Sequence, residues 1–322
     1  MGRRAKLRET STIPSTVTSD TPLVTRIEKE FILPETGELL KLQTHQKRIL
    51  NHIFEMPKTG VRYRTAVYSC PKKSGKTEIA AAVSQAWARE YGGLILSIAN
   101  DKDQAKERMF ARLSASLRQW QKKDQGFYES LLQKDPTDLE VLFNSPDAVV
   151  RAIPCDPYGE AGGHFSLTVW DELWAYKSEE SSILWSELQP VPTVDKSMRF
   201  VTTYAGWYGK SDLLWSIYED VVRPDSDGNP TGEKAPGLED LPCYVKGSTF
   251  VYWDHEARMP WQTQEFLEQA RSDPVMRSQP AEFLRLWENR WTQGEESFLD
   301  IHAIDRLMEI GKSLGLYNNW VA

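Results

Sequence analysis

The chain has 322 residues (36.9 kDa), a hydrophobic fraction of 40%, a charged fraction of 26% and a formal net charge of −7. That length predicts one large domain or about two ordinary ones, and the acidic balance excludes nucleic-acid binding through bulk positive charge, leaving a local patch for any such contact. No apolar run reaches the length of a membrane span, and the opening MGRRAKLRETSTIPST lacks the apolar core of a secretory signal. Cys70, Cys155 and Cys243 stand far apart and without metal-ligand spacing, which fits a reducing compartment and no disulfide framework.

Residues 1–22 place Arg3, Arg4, Lys6 and Arg8 ahead of a Ser/Thr/Pro-rich run, so a solvated tail is expected there. Within Leu39–Phe54 the apolar spacing becomes helical from Gln43 onward, with Thr44 placed to cap the start and Gln46 close to it. In many motor ATPases a glutamine upstream of the phosphate loop reads the adenine edge, because its amide both donates and accepts. A surface glutamine on an amphipathic helix is the plain alternative.

Thr65–Glu90, TAVYSCPKKSGKTEIAAAVSQAWARE, has the order strand, phosphate loop, helix. Thr65, Val67 and Tyr68 favour extended backbone, and an alanine-rich helix follows Ser74-Gly75-Lys76-Thr77 directly. The N–H groups of such a loop, with the partial positive charge of a helix N-terminus, make a concave anion site. Lys76 is placed to reach the β- and γ-phosphates of a nucleotide, the Thr77 hydroxyl to hold Mg²⁺, and Gly75 to let backbone approach the phosphates. Cys70 stands where the general pattern has its first glycine, so on these residues alone an ordinary loop before a helix remains an alternative.

Gly93–Ala99 (GLILSIA) is a continuous apolar run, as in a strand buried on both faces. A Lys-, Arg- and Gln-rich helix carrying Arg112 and Arg118 is expected from Asn100 to about Gln121, then a helix at Phe127–Leu132 and a strand at Ala148–Ile153. The turn-rich CDPYGEAGG that follows is expected close to the active site or to a neighbouring subunit. Ser166–Glu172, SLTVWDE, ends a buried strand in two adjacent acids. Parallel α/β sheets bind ligands at that strand edge, where Asp171 would orient a Mg²⁺ shell and Glu172 would polarise water for attack on a γ-phosphorus. A strand followed by a polar turn is the alternative. Met198–Ala205 reads as another strand, whose Thr202 and Thr203 are placed to touch the γ-phosphate region.

From about Gly209 the texture changes to an amphipathic helix, a long polar loop, two short strands in CYVKGSTFVYWDHE, and helical segments at Trp261–Trp291 and Ile301–Leu314. Asp254 and Glu256 read as turn residues rather than metal ligands, and FLRLWENRW as a packing helix.

Together these motifs resemble the ATPase half of tailed-phage terminase large subunits over roughly Leu42–Trp291. The resemblance is carried by THQKRIL at 44–50, SCPKKSGKTEIAAA at 69–82, SIANDKDQAKE at 97–107, LTVWDELWAY at 167–176 and VTTYAG at 201–206. Phosphate loops of that family often lack the first glycine and carry basic residues before the Gly-Lys pair, as Cys70, Lys72 and Lys73 do here. The resemblance implies a motor that hydrolyses ATP with Mg²⁺ and packages double-stranded DNA into a procapsid through its portal. It implies Lys72, Lys73, Ser74, Gly75, Lys76 and Thr77 as the ATP-binding Walker A loop and Gln46 as the adenine reader. Asp171 and Glu172 then become the metal-orienting and water-activating acids of Walker B, and Thr202, Thr203 and Gly206 the motif coupling hydrolysis to movement.

The same resemblance implies an arginine finger, often supplied by a neighbouring subunit, for which Arg151 is the first candidate and Arg112 and Arg118 the alternatives. Double-stranded DNA, the portal protein and the small terminase subunit are the implied partners. A homo-oligomeric ring, a pentamer by the family's pattern, is the implied assembly, working at the procapsid portal in the host cytoplasm. Full-length members continue into an RNase H-like nuclease whose acids bind two metals. After residue 260 this sequence offers helices instead of acid-bearing strands, so nuclease activity is not expected from it.

The expected fold is α/β, a P-loop NTPase (ASCE-like) with a mostly parallel central sheet flanked by helices and a small C-terminal lid-like subdomain. Its expected divisions are a tail at 1–22, an ATPase core at 23–208 and a mostly helical lid or linker at 209–322. A helicase-like or other nucleic-acid-stimulated ATPase, and a nucleotide-gated assembly scaffold, are the alternative functions.

Overall fold

The computed structural model describes residues 20–99, 108–155, 163–225 and 228–293, with Arg306 and Ile310. Most of the expected tail, the first turns of the helix expected from Asn100, the loop after Cys155 and most of the helix expected at 301–314 lie outside the described residues.

Runs of apolar, largely β-branched and aromatic residues give the strands β1 (Thr65–Ser69), β2 (Gly93–Ala99), β3 (Glu140–Phe143), β4 (Ala148–Pro154), β5 (Phe165–Asp171), β6 (Met198–Thr203), β8 (Cys243–Lys246) and β9 (Thr249–Trp253), while the two-residue β7 (Glu233–Lys234) is exposed and polar. They form one sheet in the order β3-β4-β2-β5-β6-β1-β9-β8-β7. The run from β4 to β9 is parallel, with β3 antiparallel at one edge and β8 and β7 antiparallel at the other. This is the mostly parallel sheet expected from the sequence, and β6 stands between β1, which leads into the loop before α3, and β5, which ends in the two acids.

β1, β5 and β6 are buried at every residue, as strands covered on both faces must be. Ala66, Tyr68, Leu167, Phe200 and Phe250 point into one core, together with helices α1 (Pro22–Glu30), α2 (Thr44–Ile53) and α3 (Lys76–Glu90). Val67, Trp170, Val201 and Val251 point into the opposite core, which helices Glu179–Glu187 and Asp212–Val221 cover. In α3 the small residues Ala80, Ala81, Ala82, Ala86 and Ala88 are all buried, which lets the helix backbone lie close on the sheet.

Residues 233–253 differ from the mostly helical lid expected for 209–322, because β7, β8 and β9 extend the main sheet. The two short strands were legible, but their docking was not. β9 pairs in parallel with β1 because the alternation in Phe250, Val251, Tyr252 and Trp253 fills both cores at once, and because it satisfies the open backbone edge of β1. Asp254, at the end of β9, is a turn residue of a buried kind: it is 1% exposed and accepts from the Tyr252 hydroxyl, the Glu256 N–H and Arg258.

His52, on α2, is buried against Tyr63 and Phe250, with its Nε2 2.8 Å from the Tyr63 hydroxyl. Burial, with Arg62 nearby, lowers its pKa from 6.5 to about 4. The unfolded chain therefore takes up a proton that the folded chain refuses. Stability from this group is whole above pH 6.5 and is lost as pH falls toward 4, by about 2 kcal/mol. Urea unfolding of the parent and of His52→Gln across that window checks this, and the parent should show the steeper decline.

Candidate active site

Parallel pairing sets three strand ends level at one edge of the sheet: Ser69 lies opposite Thr203, and Asp171 opposite Thr202. The loop at 70–75 leaves β1 at that edge and the two acids leave β5 there. A cleft of about 980 Å³ opens above them, lined by Lys72–Glu78 of the loop and by Asp171, Glu172 and Gln46.

The loop turns through two left-handed residues, Lys73 at φ 68° and Gly75 at φ 75°. A Cβ at Gly75 would meet nothing within 4 Å, so the backbone angle alone calls for glycine there. Ser74 Oγ donates to the Pro71 carbonyl at 2.7 Å. The Lys76 ammonium is 5% exposed and folds back onto the carbonyls of Cys70 and Pro71 at 2.9 and 3.0 Å, with the Tyr204 ring centroid 5.1 Å away. The loop thus carries a buried cation held by carbonyls of its own, at the start of a helix.

Thr77 Oγ1 donates to Asp171 Oδ2 at 3.1 Å, and Thr202 Oγ1 to Asp171 Oδ1 at 2.7 Å. Glu172 is itself left-handed (φ 59°, ψ 50°); its N–H donates to the Thr202 carbonyl at 2.7 Å, and its Oε2 accepts from the Trp174 indole at 2.5 Å. Burial raises the pKa of both carboxyls. At Asp171 the hydroxyls of Thr202 and Thr77, then Lys76 and Arg108, pull it back down. At Glu172 Lys76 and the Trp174 indole pull it down while the charge of Asp171 adds to the rise. A threonine hydroxyl and a carboxylate, both hard oxygen donors, face each other at the N-terminus of α3, and that donor set fits Mg²⁺.

Gln46 is 3% exposed, not a surface residue. The helix cap is Gln43 rather than Thr44: the Gln46 side-chain carbonyl accepts from the Gln43 N–H at 2.9 Å, while its amide donates to the Ser74 carbonyl at 3.4 Å and to Met259 Sδ at 3.5 Å. The Tyr68 hydroxyl also bonds this side chain. A glutamine amide oxygen has two acceptor positions, of which the Gln43 N–H takes one.

Arg151 does not line this cleft. It lies on β4 and pairs with Glu140 of β3 at 2.8 Å, because the two face each other across an antiparallel edge. Arg118 is exposed and is also absent from the cleft lining, whereas Arg112 lines it and pairs with Glu35 and Glu78. Arg108 lines it too, and its charge acts on both Asp171 and Glu172.

Gly206 is a packing glycine. A Cβ there would fall 2.2 Å from Ser211 Oγ and 3.1 Å from the Trp291 ring. Ser211 cannot swing away freely, since it is fully buried and its hydroxyl donates to the Trp174 carbonyl at 2.8 Å. Gly206→Ala is therefore expected to destabilise the fold by about 1–3 kcal/mol, read as a lower urea midpoint at unchanged slope.

Two residues that brace this edge escaped the sequence reading. Asn289, fully buried at φ 50°, accepts from the Ala205 N–H at 2.6 Å and donates to Ser69 Oγ at 3.0 Å and to the Asp254 carbonyl at 2.9 Å, so it ties the ends of β6, β1 and β9 together. Arg285, 3% exposed, pairs with Glu282 and lies 4.5, 5.1 and 3.9 Å from the ring centroids of Trp174, Tyr204 and Trp207. Trp174 passes that packing on to Glu172. Asparagine tolerates a positive φ better than most side chains, and that identity is the one local signal the sequence holds for Asn289.

No protein-family model and no curated protein matches the sequence. Among solved structures, the large terminase of bacteriophage HK97 superposes with a TM-score of 0.56 at 15% identity, over 84% of this chain and 55% of that one. The fold is similar to that of a phage large terminase. The chain spans about half the length of that protein, 55% of it. The large terminase ATPase domain of Thermus phage P74-26 also matches, with a TM-score of 0.48 at 17% identity over 71% of this chain and 88% of that one. The shared fold includes the mostly parallel sheet with flanking helices expected from the sequence.

Proposed function

We propose that the cleft binds and hydrolyses ATP, and that the chain is the motor part of a viral DNA-packaging terminase. The observation that carries this reading is the meeting of Thr77 and Asp171 at 3.1 Å beneath a phosphate loop, in a fold similar to that of the HK97 large terminase. The loop N–H groups and Lys76 bind the phosphates, and Gln46 offers its remaining lone pair to the adenine edge. Thr77 and Asp171 hold Mg²⁺, which when bound neutralises charge on the β- and γ-phosphate oxygens. Glu172 directs the attacking water and takes its proton, with the Trp174 indole fixing the carboxylate.

Within one subunit the positive charge beside the acids comes from Lys76 and Arg108. The expected role of Arg151 as an arginine finger would be played in the cleft of a neighbouring subunit of a ring. Thr202 bonds Asp171, and Thr203 Oγ1 accepts from the Trp174 N–H at 3.2 Å, so a change in the partners of either acid reaches β6 and Gly206 directly. That is the route proposed from hydrolysis to movement of double-stranded DNA through a portal, with the small terminase subunit as the further partner.

The test is phosphate release from Mg-ATP with and without double-stranded DNA, followed by DNA packaging with portal-bearing procapsids. Hydrolysis that supports packaging is the expected result. Strand unwinding that needs no procapsid would move the protein to the helicase-like class, and nucleotide binding without phosphate release would make it a scaffold.

A further inference from the structure

Residues 259–262 come from the segment after β9, yet they are fastened to the outer side of the phosphate loop. The Gln262 amide donates to the Lys72 carbonyl at 2.9 Å and to Ser74 Oγ at 3.3 Å, and the Trp261 indole N–H donates to the Lys73 carbonyl at 2.8 Å. Met259 Sδ accepts from Gln46, and the Met259 N–H donates to the Gln262 side-chain carbonyl. The loop carbonyls are thus engaged outward by this segment.

Trp261 is 52% exposed and lines the cleft, and it is the one aromatic residue among the large exposed hydrophobics of the described residues. Its single polar atom is already bonded, so what it offers the cleft is a bare π-face. The bond to Lys73 fixes the ring, so little rotamer freedom is left to lose when something stacks on it. Buried aromatic packing accounts for the other tryptophans at this end, such as Trp291, which stacks on Trp253 at 5.9 Å, but not for this one.

We propose that the Trp261 indole is the platform on which the base of a purine nucleoside triphosphate stacks, beside Met259 and Gln46. This rests on the reading of the cleft as a nucleotide site. A planar base matches an indole face, and stacking is indifferent to hydrogen-bond pattern, so the ring supplies affinity for the base while the Gln46 carbonyl supplies selectivity.

The experiment compares binding of ATP and of inorganic tripolyphosphate, by calorimetric titration, to the parent chain and to Trp261→Ala, Trp261→Phe and Lys76→Ala. Expected for Trp261→Ala is ATP affinity lower by about 10- to 100-fold with tripolyphosphate affinity changed less than about two-fold, and recovery of most ATP affinity in Trp261→Phe, which keeps a ring. Equal losses for both ligands would mean that the indole only props the loop, and unchanged ATP affinity would mean that the base lies elsewhere. Either result overturns the proposal while leaving the nucleotide site standing. A parent that binds neither ligand, or binds both as tightly after Lys76→Ala, removes the nucleotide site and this inference with it.

Discussion

Glu172→Gln is expected to keep ATP binding and to lose turnover, with kcat down about 100-fold or more. The substitution keeps the shape of the side chain and its acceptor for the Trp174 indole, which now stands 2.5 Å from Oε2. The left-handed backbone at φ 59° and the 2.7 Å bond from the Glu172 N–H to the Thr202 carbonyl do not depend on the carboxylate, so the chain around it stays as it is. In the mechanism proposed above, what disappears is the basic oxygen that accepts a proton from the attacking water. Binding rests on other groups, the loop N–H donors and Lys76, so the loss falls on kcat rather than on affinity. Phosphate release measured beside nucleotide titration separates the two, and undiminished hydrolysis in the variant would take Glu172 out of the chemistry.

The turn at Ser74-Gly75-Lys76-Thr77 and the acid pair were legible as local structure because each is written locally. Gly75 is needed for its own φ, Lys76 follows it at once, and Asp171 and Glu172 end one apolar strand. Their meeting depended only on parallel pairing, which apolar strands alternating with helices already implied. What stayed hidden depends on contacts between distant parts of the chain. Asn289 acts on Ser69 and Ala205, 220 and 84 residues away, and nothing in its neighbourhood marks that role apart from its identity.

Trp261 joins a loop 188 residues upstream, and Arg285 reaches the Ala205 carbonyl 80 residues upstream. The partner of Arg151 within its own chain was hidden for the same reason, since the antiparallel edge strand supplies Glu140 from eleven residues upstream. From its neighbours in sequence Gln46 has the place of a surface residue on an amphipathic helix. In the fold it is also the link that joins α2 to the loop carbonyl of Ser74 and to Met259.

Lys76→Ala should weaken nucleotide binding itself, by about 100-fold or more, and abolish hydrolysis at ordinary ATP concentrations. The ammonium now satisfies the carbonyls of Cys70 and Pro71 at 2.9 and 3.0 Å and is buried beside the Tyr204 ring. A triphosphate entering the cleft offers that cation a better partner, because bonds between two ionised groups are stronger than bonds to neutral carbonyls. In the variant the phosphates lose that charge, and no other lysine of the loop replaces it: Lys72 and Lys73 are partly or largely exposed, so their charges are screened by water. The fold should lose about 1–3 kcal/mol as well, since the removed bonds leave the buried carbonyls of Cys70 and Pro71 unsatisfied. A circular-dichroism melt below the parent's, with ATP affinity gone at temperatures where the variant is still folded, is therefore the expected pair of results, and parent-like affinity would count against the loop as the phosphate site.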